Sequence, residues 1–323
     1  MHPELKGWLV YLGINSPELE RLKEPLGCRA FYRIISEIEK HLLVLDASGC
    51  AEVVPKMIGM NLRMKDAKVA TPLMRAFEMH KGFLLMEDVG EISLQDRLYT
   101  RGYDTDLIKG VDLLCKMQKA PTDGLKRWSK VDLMASLDGV IEYYLRGIVR
   151  IMVGCGDTGV CLDAFELIAD ELMCQPQGAF VHGCLTPWKI KLHGKEVVLL
   201  GFSEAQIGGY VYDFATLCQT LPMYDAKVYE RIQSYFCEKQ SIGADKEQFK
   251  RWFDFSNMHY TLKEIAGYAE KLRKDRQDEH LASSLEASIK RFLSIASHYE
   301  ELGAFCAYLA DPKSTSGSYC QVH

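Results

Sequence analysis

The feature that most constrains the fold of this chain is a change of periodicity near residue 90. Before it, short apolar runs with β-branched and aromatic residues dominate, as in AFYRIISE (30–37), KHLLVLDAS (40–48) and the two runs around the turn His80–Gly82. After it, apolar residues recur mostly at helical spacing. Strands followed by helices are typical of an α+β fold. The sequence therefore predicts a small antiparallel sheet followed by a mostly helical region.

Helices are also expected inside the sheet region. Leu5, Trp8, Leu9 and Leu12 fall on one helical face that ends at Gly13. The run AEVVPKMIGMNLRMKDA (51–67) predicts a second helix, in which Pro55 must lie in the first turn.

The length of 323 residues is enough for two lobes. We expect an N-terminal sheet lobe over 1–88, a C-terminal helical lobe over 89–310 and a disordered tail over 311–323, where Pro, Ser and Gly leave little to bury. The crevice between two lobes would be the default ligand site.

Composition and charge exclude several classes of function. The chain carries 39 basic and 44 acidic side chains, for a net charge of −5, and has no Lys/Arg block interleaved with aromatics, so we expect no nucleic-acid partner. The N-terminus lacks a signal-peptide pattern, and no apolar run approaches the ~20 residues of a membrane span, so we expect a cytoplasmic protein without membrane contact. The 11 cysteines form no CxxC pair, which predicts reduced thiols rather than zinc ligands.

The candidate catalytic positions of the chain lie in the segments VHGCLTPWKI (181–190) and VVLLGFSEA (197–205). Together with LGCRAFYRI (26–34), HLLVLDAS (41–48) and GFLLMEDVG (82–90), in this order, they resemble the aminoglycoside phosphotransferase and choline kinase-like small-molecule kinases. The strongest resemblance is to the branch of anomeric N-acetylmuramate and N-acetylglucosamine kinases. It covers roughly residues 5–300 and implies a bilobal protein kinase-like fold.

The resemblance also implies positions for catalytic groups. In the family, a loop reads His-Gly-Asp or His-Arg-Asp, four residues, then Asn; the aspartate orients the attacking hydroxyl and the asparagine binds magnesium. A second magnesium-binding aspartate ends the next strand. Here His182 and Gly183 match the loop, but Cys184 occupies the base position, Lys189 the asparagine position and Gly201 the metal-aspartate position.

These three replacements weaken the expected chemistry. A cysteine with an ordinary pKa of ~8.5 is mostly neutral at pH 7, glycine offers no ligand, and a lysine ammonium repels magnesium. We therefore regard magnesium binding by the usual ligands as unfavourable, while ATP binding stays open. His182 is expected to brace the loop, and Lys189 is either solvated or takes the place of the metal.

The resemblance implies further contacts to a nucleotide. The phosphate-loop segment keeps Tyr32 and Arg33, and Gly27 would allow the backbone to approach an anion. Asp46 stands where typical kinases have a lysine, and the amino-sugar kinase branch also has an aspartate there. The connector LLMEDVGE (84–91) resembles the adenine-pairing segment, in which Glu87 and Val89 would supply the carbonyl and the amide.

Three hypotheses follow. The leading one is a pseudokinase that acts by binding a nucleotide, a sugar-like ligand or a protein partner, so that an enzymatic role is disfavoured. The alternative is an active ATP-dependent phosphotransferase on a hydroxyl of an amino sugar or related small molecule, in which Glu204 and either Cys184 or Asp213 replace the missing groups. The third is an interaction protein whose cleft is filled by side chains.

Overall fold

The protein consists of two compact units in the computed structural model, which describes residues 2–15, 17–22, 29–35, 41–98, 100–194, 196–202, 205–221 and 225–315. The first unit comprises Met1–Asp123 and Leu185–Ala205, and the second comprises Gly124–Cys184 and Gln206–His323. The lobe boundaries expected at residues 88 and 310 follow sheet and helix content rather than packing, and they stay predictions.

The strands are β1 (Glu18–Arg21), β2 (Ala30–Ile35), β3 (Leu42–Asp46), β4 (Met74–Glu78), β5 (Phe83–Glu87), β6 (Gln177–Val181), β7 (Ile190–His193), β8 (Glu196–Leu199) and β9 (Gln206–Gly209). The α-helices are α1 (Leu5–Tyr11), α2 (Val53–Asp66), α3 (Leu94–Arg97), α4 (Tyr103–Met117), α5 (Lys130–Ala135), α6 (Cys155–Cys174), α7 (Tyr210–Cys218), α8 (Ala226–Gln240), α9 (Lys246–Lys274), α10 (Glu279–Ala296), α11 (Gly303–Ala310) and α12 (Pro312–Thr315). Val140–Val149 is π-helical, and Pro187–Lys189 and Glu300–Leu302 are 3₁₀ turns.

The first unit is built on an antiparallel sheet in the order β1-β2-β3-β5-β4. Val44 pairs with Tyr32 on one side and with Leu85 on the other. This confirms the strands predicted from residues 30–48 and 74–87. Sequence patterns did not indicate β1, because its residues ELER contain a single apolar side chain; it is held at the edge by pairing of Leu19 with Ile34.

The alternation of side chains divides the sheet between two apolar clusters. On one face, Leu5 and Leu9 of α1 pack with Tyr32, Val44 and Phe83. On the other face, Val53 and Val54 of α2 pack with Leu45 of β3 and with Leu84 and Met86 of β5. Both helices are thus held by the sheet, as their sequence patterns predict.

The second unit is organised around α9, whose buried residues run from Phe249 to Leu272. The side chain of Asp245 caps its start by accepting from the Gln248 amide at 2.8 Å. Around it, Phe165, Phe292 and Phe305 belong to one buried cluster. In this unit β6 pairs antiparallel with β9, which leads directly into α7.

Two details differ from the sequence patterns. Apolar residues recur at helical spacing from Lys130 to Val153, but the structure has a break there, between α5 and the π-helical segment. Cys50 is disulfide-bonded, so the prediction of reduced cysteines is wrong there. Cys50 lies in the loop after β3, whereas Cys115 and Cys218 are buried thiols in α4 and α7. Within the described part of the chain, no helix is long and apolar enough to span a bilayer.

Candidate functional site

The first unit contains a cavity of about 400 Å³ against its sheet. Phe31, Leu43 and Met86 line it from β2, β3 and β5, so its floor is apolar. Lys189 and Lys191 also line it and bring positive charge to this apolar space. The volume lies within the ~300–1,000 Å³ of small-molecule sites. An apolar floor with charge at its border suits a ligand that is flat and apolar at one end and anionic at the other.

The segment that follows β5 borders this cavity with its backbone. The N–H groups of Glu87 and Asp88 donate to backbone carbonyls at 2.9 and 2.7 Å, and that of Gly90 donates to the Asp88 carboxylate at 2.9 Å. The Val89 carbonyl accepts from Nδ1 of His193 at 3.2 Å. The Val89 N–H has no partner among the described residues, although Val89 is only 5% exposed. Because buried amides are almost always paired, this N–H is a donor that a ligand would satisfy.

Arg33 of β2 lies at the same cavity, where two carboxylates hold it. Its Nε donates to Asp88 at 2.6 Å and a terminal nitrogen donates to Glu91 at 2.7 Å. These hydrogen bonds raise the pKa of Arg33 above its ordinary value, against the opposing effect of burial. The guanidinium is therefore permanently charged, and it ties β2 to the segment after β5.

The remaining expected nucleotide contacts lie elsewhere. Tyr32 is buried in the α1 cluster on the other face of the sheet, since it precedes Arg33 by one residue in a strand. Asp46 accepts from the His2 amide at 2.6 Å and from the Ser48 hydroxyl at 2.7 Å. Burial raises the pKa of Asp46, but these hydrogen bonds outweigh burial and lower it overall. Gly27 and Glu204 lie outside the described residues.

Lys189 and Gly201 are neighbours in the first unit. The Lys189 amide donates to the Thr186 carbonyl at 2.9 Å, and the Leu200 amide donates to the Lys189 carbonyl at 2.8 Å, which fixes the two backbones side by side. A Cβ atom added to Gly201 would lie 3.4 Å from Cδ and 3.6 Å from Nζ of Lys189. Gly201 has φ +80°, which glycine adopts without strain.

Lys191 and His193 are functional candidates that sequence reasoning missed. Nζ of Lys191 donates to the Glu91 carbonyl at 2.8 Å, and His193 contacts Val89. The signal was present in the run IKLH, because residues 191 and 193 alternate and so share one face of β7.

Magnesium does not fit the residues at this site. Gly201 has no ligand atom, and the Lys189 ammonium lies beside it. Among the residues that the structure describes, no group of three or more His, Cys, Asp or Glu side chains could hold a metal ion.

In the second unit, the loop after β6 is braced by Asp213 of α7. The His182 amide donates to Oδ2 of Asp213 at 2.6 Å, and the Gly183 amide donates to Oδ1 at 3.0 Å. The Cys184 amide donates to Nδ1 of His182 at 3.3 Å. Burial raises the pKa of Asp213 to about 7, although the two amides oppose this effect. Both oxygens are engaged, so Asp213 holds the loop in shape.

Cys184 points to the core side of the loop. Its Sγ lies 3.2 Å from the hydroxyl of Tyr260. Burial raises the pKa of Tyr260 well above its ordinary value, so this hydroxyl keeps its proton at neutral pH and is able to donate to sulfur. Nearby, the Tyr212 hydroxyl contacts Nδ1 of His259 at 3.0 Å, and burial lowers the pKa of His259 to about 3.

The structure thus separates the predicted site residues into groups. Arg33, Glu87, Val89, Lys189 and Gly201 line one cavity in the first unit. His182 and Cys184 belong to the loop of the second unit that Asp213 holds.

Comparisons with known proteins point to kinases. No family model matches the chain. It is 23% identical over 276 residues to an N-acetylmuramate/N-acetylglucosamine kinase of Pseudomonas putida, covering 83% of this chain and 81% of the relative.

Solved structures share the fold. A choline/ethanolamine kinase family protein from Mesorhizobium loti superposes with a TM-score of 0.64 at 12% identity, covering 92% of this chain and 95% of that one. A thermostable mutant of aminoglycoside phosphotransferase APH(4)-Ia, in a ternary complex with ADP and hygromycin B, gives a TM-score of 0.61 at 15% identity, with 92% and 99% covered. The predicted kinase-like α+β fold is confirmed.

Proposed function

We propose, on the premise that the chain belongs to the aminoglycoside phosphotransferase and choline kinase-like small-molecule kinases, that it is an ATP-dependent phosphotransferase. In this proposal the adenine nucleotide binds in the first-unit cavity, and the acceptor is a hydroxyl group of an amino sugar or a related small molecule. The relative from Pseudomonas putida, named for amino-sugar kinase activity and matched over most of its length, supports this acceptor class.

The observation that supports the nucleotide site is the amide of Val89, for which the described part of the chain offers no hydrogen-bond acceptor. It borders a cavity whose floor is formed by Phe31, Leu43 and Met86, and a flat base would fill that space. Adenine presents a ring-nitrogen acceptor at its edge, which the Val89 N–H would satisfy. A donor left unpaired in a buried site costs ~1–3 kcal/mol, so a matching acceptor recovers that free energy on binding.

Phosphoryl transfer requires little covalent chemistry from the protein, which mainly positions the reactants and stabilises charge. The acceptor oxygen forms a bond to the γ-phosphorus, the bond from the γ-phosphorus to the β–γ bridging oxygen breaks, ADP leaves, and the hydroxyl proton passes to a base. Of the candidate bases in the second unit, Asp213 has both oxygens engaged by amides, whereas Cys184 is half-buried and contacts one hydroxyl. We therefore propose the thiolate form of Cys184 as the group that receives the proton and becomes the thiol, with the Tyr260 hydroxyl donating a hydrogen bond to its sulfur.

A second candidate function is binding without transfer. It is favoured by Cys184, Lys189 and Gly201, which provide neither the usual carboxylate base nor a magnesium ligand. The similarity, over most of its length, to a protein named as an amino-sugar kinase favours transfer instead. Transfer is for this reason the first candidate.

Base discrimination tests the nucleotide site. Binding of ATP and of inosine triphosphate is measured by calorimetry; inosine carries an N–H where adenine carries the ring acceptor, so it places a donor against the Val89 donor. We expect ATP to bind about tenfold or more tightly than inosine triphosphate. Equal affinities would contradict the assignment of the Val89 amide, and absence of binding by either would contradict the proposed function.

Product analysis then separates the two candidates. The protein is incubated with ATP and a panel of amino sugars that includes N-acetylmuramate and N-acetylglucosamine, and phosphorylated sugar is measured by mass spectrometry. Transfer that is lost in Cys184→Ala supports the proposed base. Nucleotide binding without any product would favour the binding protein.

A further inference from the structure

We infer that the Lys189 ammonium, rather than a divalent cation, holds the phosphates of the bound nucleotide. This inference rests on the proposed nucleotide site and specifies how that site recognises its anionic end. A magnesium-dependent kinase binds the phosphates through a metal held by carboxylates; here the corresponding charge would be a fixed part of the chain.

The first observation is the environment of the ammonium. Lys189 is half-buried and lines the cavity, yet its Nζ has no hydrogen-bond or ion-pair partner among the described residues. Its backbone is fixed by hydrogen bonds to Thr186 and Leu200, so the side chain starts from an ordered position. A partly desolvated cation without a partner favours a bound anion.

The second observation is the space at Gly201. A side chain there would start 3.6 Å from Nζ of Lys189, well within ion-pair distance for a carboxylate one bond further on. Glycine at this position therefore leaves the ammonium without a counter-ion among the residues that the structure describes. The ammonium and an aspartate at residue 201 would neutralise each other, which makes Gly201 and Lys189 a complementary pair.

The third observation is that the other charges of the cavity are already engaged. Asp88 and Glu91 bind Arg33. Glu87 accepts from the Leu73 amide at 3.2 Å through one oxygen, and its other oxygen lies 3.8 Å from Nε2 of His193. Each carboxylate that lines the described cavity thus already has a partner, and none of them is free to bind a metal.

The cationic side chains that line the cavity outnumber the anionic ones by one. The cations are Arg29, Arg33, Lys189 and Lys191, and the anions are Glu87, Asp88 and Glu91. Arg33 is held by two of these carboxylates and Lys191 by the Glu91 carbonyl, and Arg29 is also engaged in an interaction, so Lys189 is the cation best placed to bind phosphate oxygens. The chemistry recognised is that of a polyphosphate.

The test measures binding of ATP, adenosine and inorganic tripolyphosphate by calorimetry, in excess EDTA and in excess magnesium. We expect wild-type protein to bind ATP in EDTA at least as tightly as in magnesium. We expect Lys189→Gln to bind ATP and tripolyphosphate roughly 10- to 100-fold more weakly, with adenosine unchanged, because a charge-assisted contact to phosphate is lost. Lys119→Gln, on an exposed residue outside the cavity, is the control and should match wild type.

A pair of variants at residue 201 tests whether the Lys189 ammonium binds the phosphates from its position beside that residue. Gly201→Asp should weaken ATP binding in EDTA about as much as Lys189→Gln, because the new carboxylate pairs with the ammonium. The double variant Lys189→Asn/Gly201→Asp supplies two oxygen ligands and should make ATP binding depend on magnesium. Circular dichroism confirms that each variant is folded.

The outcomes separate this inference from the proposed function. ATP binding that requires magnesium in the wild type, or that is unchanged in Lys189→Gln, would overturn the inference and leave the nucleotide site standing. Absence of binding by both ATP and adenosine would overturn the proposed function and the inference together.

Discussion

Replacing Asp213 by asparagine should change how the stability of the protein depends on pH. Asp213 is fully buried, and burial raises its pKa from the ordinary 3.8 to about 7. Between these values the folded protein holds a proton that the unfolded chain has lost, so the free energy of unfolding falls as pH rises through this window. The slope is about 1.4 kcal/mol per pH unit, or about 4 kcal/mol over the whole window.

Asparagine is nearly the same shape and does not ionise, so Asp213→Asn removes this slope. At pH 4 both proteins are neutral at this position, and the variant should be less stable than wild type by about 1–3 kcal/mol, because the amino group of asparagine cannot accept from one of the two backbone amides and leaves that amide without a partner. As pH rises, the free energy of unfolding of the variant should increase relative to that of wild type by up to about 4 kcal/mol, because the variant does not bury a charge.

The assay is urea unfolding followed by circular dichroism at half-unit pH steps from 4 to 8, with Asp138→Asn as a control at an exposed residue of the same unit. The quantity of interest is the difference between variant and wild type, in which other titrating groups cancel. A constant difference, or a wild type that gains on the variant as pH rises, would refute the reasoning. It would show that the amides of His182 and Gly183 keep Asp213 ionised.

Three further predictions concern the second unit. Burial lowers the pKa of His259 to about 3. Below pH ~6.5 the unfolded chain therefore binds a proton at this histidine that the folded protein does not bind, so the free energy of unfolding falls as pH falls. His259→Asn should remove this pH dependence, as measured by urea unfolding at a series of pH values. Gly208→Ala should lower the free energy of unfolding by about 1–3 kcal/mol, because the new Cβ would lie 2.5 Å from the Trp128 ring. Gly159→Ala has open space around it and should stabilise α6 by about 0.5–1 kcal/mol. Thermal melting compares the two variants. Cys184→Ser should keep more of any sugar phosphorylation than Cys184→Ala, because a hydroxyl still accepts a hydrogen bond; equal rates would remove Cys184 from the chemistry.

Much of the fold follows from local patterns in the sequence. Strands β2 to β5 and helices α1 and α2 have clear alternation or helical spacing, and the structure confirms them. Strand β1 could not be predicted, because its charged residues ELER are strand-forming only through pairing with β2. The break between α5 and the π-helical segment could not be predicted from spacing either; at its end the chain approaches α9 closely, since a Cβ at Gly139 would lie 2.9 Å from Cβ of Ala266.

The site was predictable only in part. Short motifs placed Arg33, Glu87 and Val89 at what proves to be one cavity, but adjacency in sequence also suggested Tyr32, whose side chain faces the opposite side of the sheet. The closeness of Lys189 to Gly201 depends on the hairpin between β7 and β8 and on hydrogen bonds across it, which no spacing rule reveals.

The hypothesis of lost catalysis rested on residue types at three positions. The similarity to named kinases favours transfer, and the geometry supplies a reason why the absent magnesium ligands need not abolish it: the Lys189 ammonium lies beside Gly201, where one of those ligands would stand. A charge built into the chain can stabilise phosphate oxygens in the way that a metal does, although with a single charge.

The most direct test of the central claim is the appearance of phosphorylated sugar. Wild-type protein is mixed with ATP and N-acetylmuramate or N-acetylglucosamine, with magnesium or EDTA, and the product is followed by ³¹P nuclear magnetic resonance. We expect a sugar phosphate that forms with ATP in wild type and is strongly reduced in Lys189→Gln. ATP that binds the protein yet yields no sugar phosphate with either amino sugar would contradict the proposed transfer.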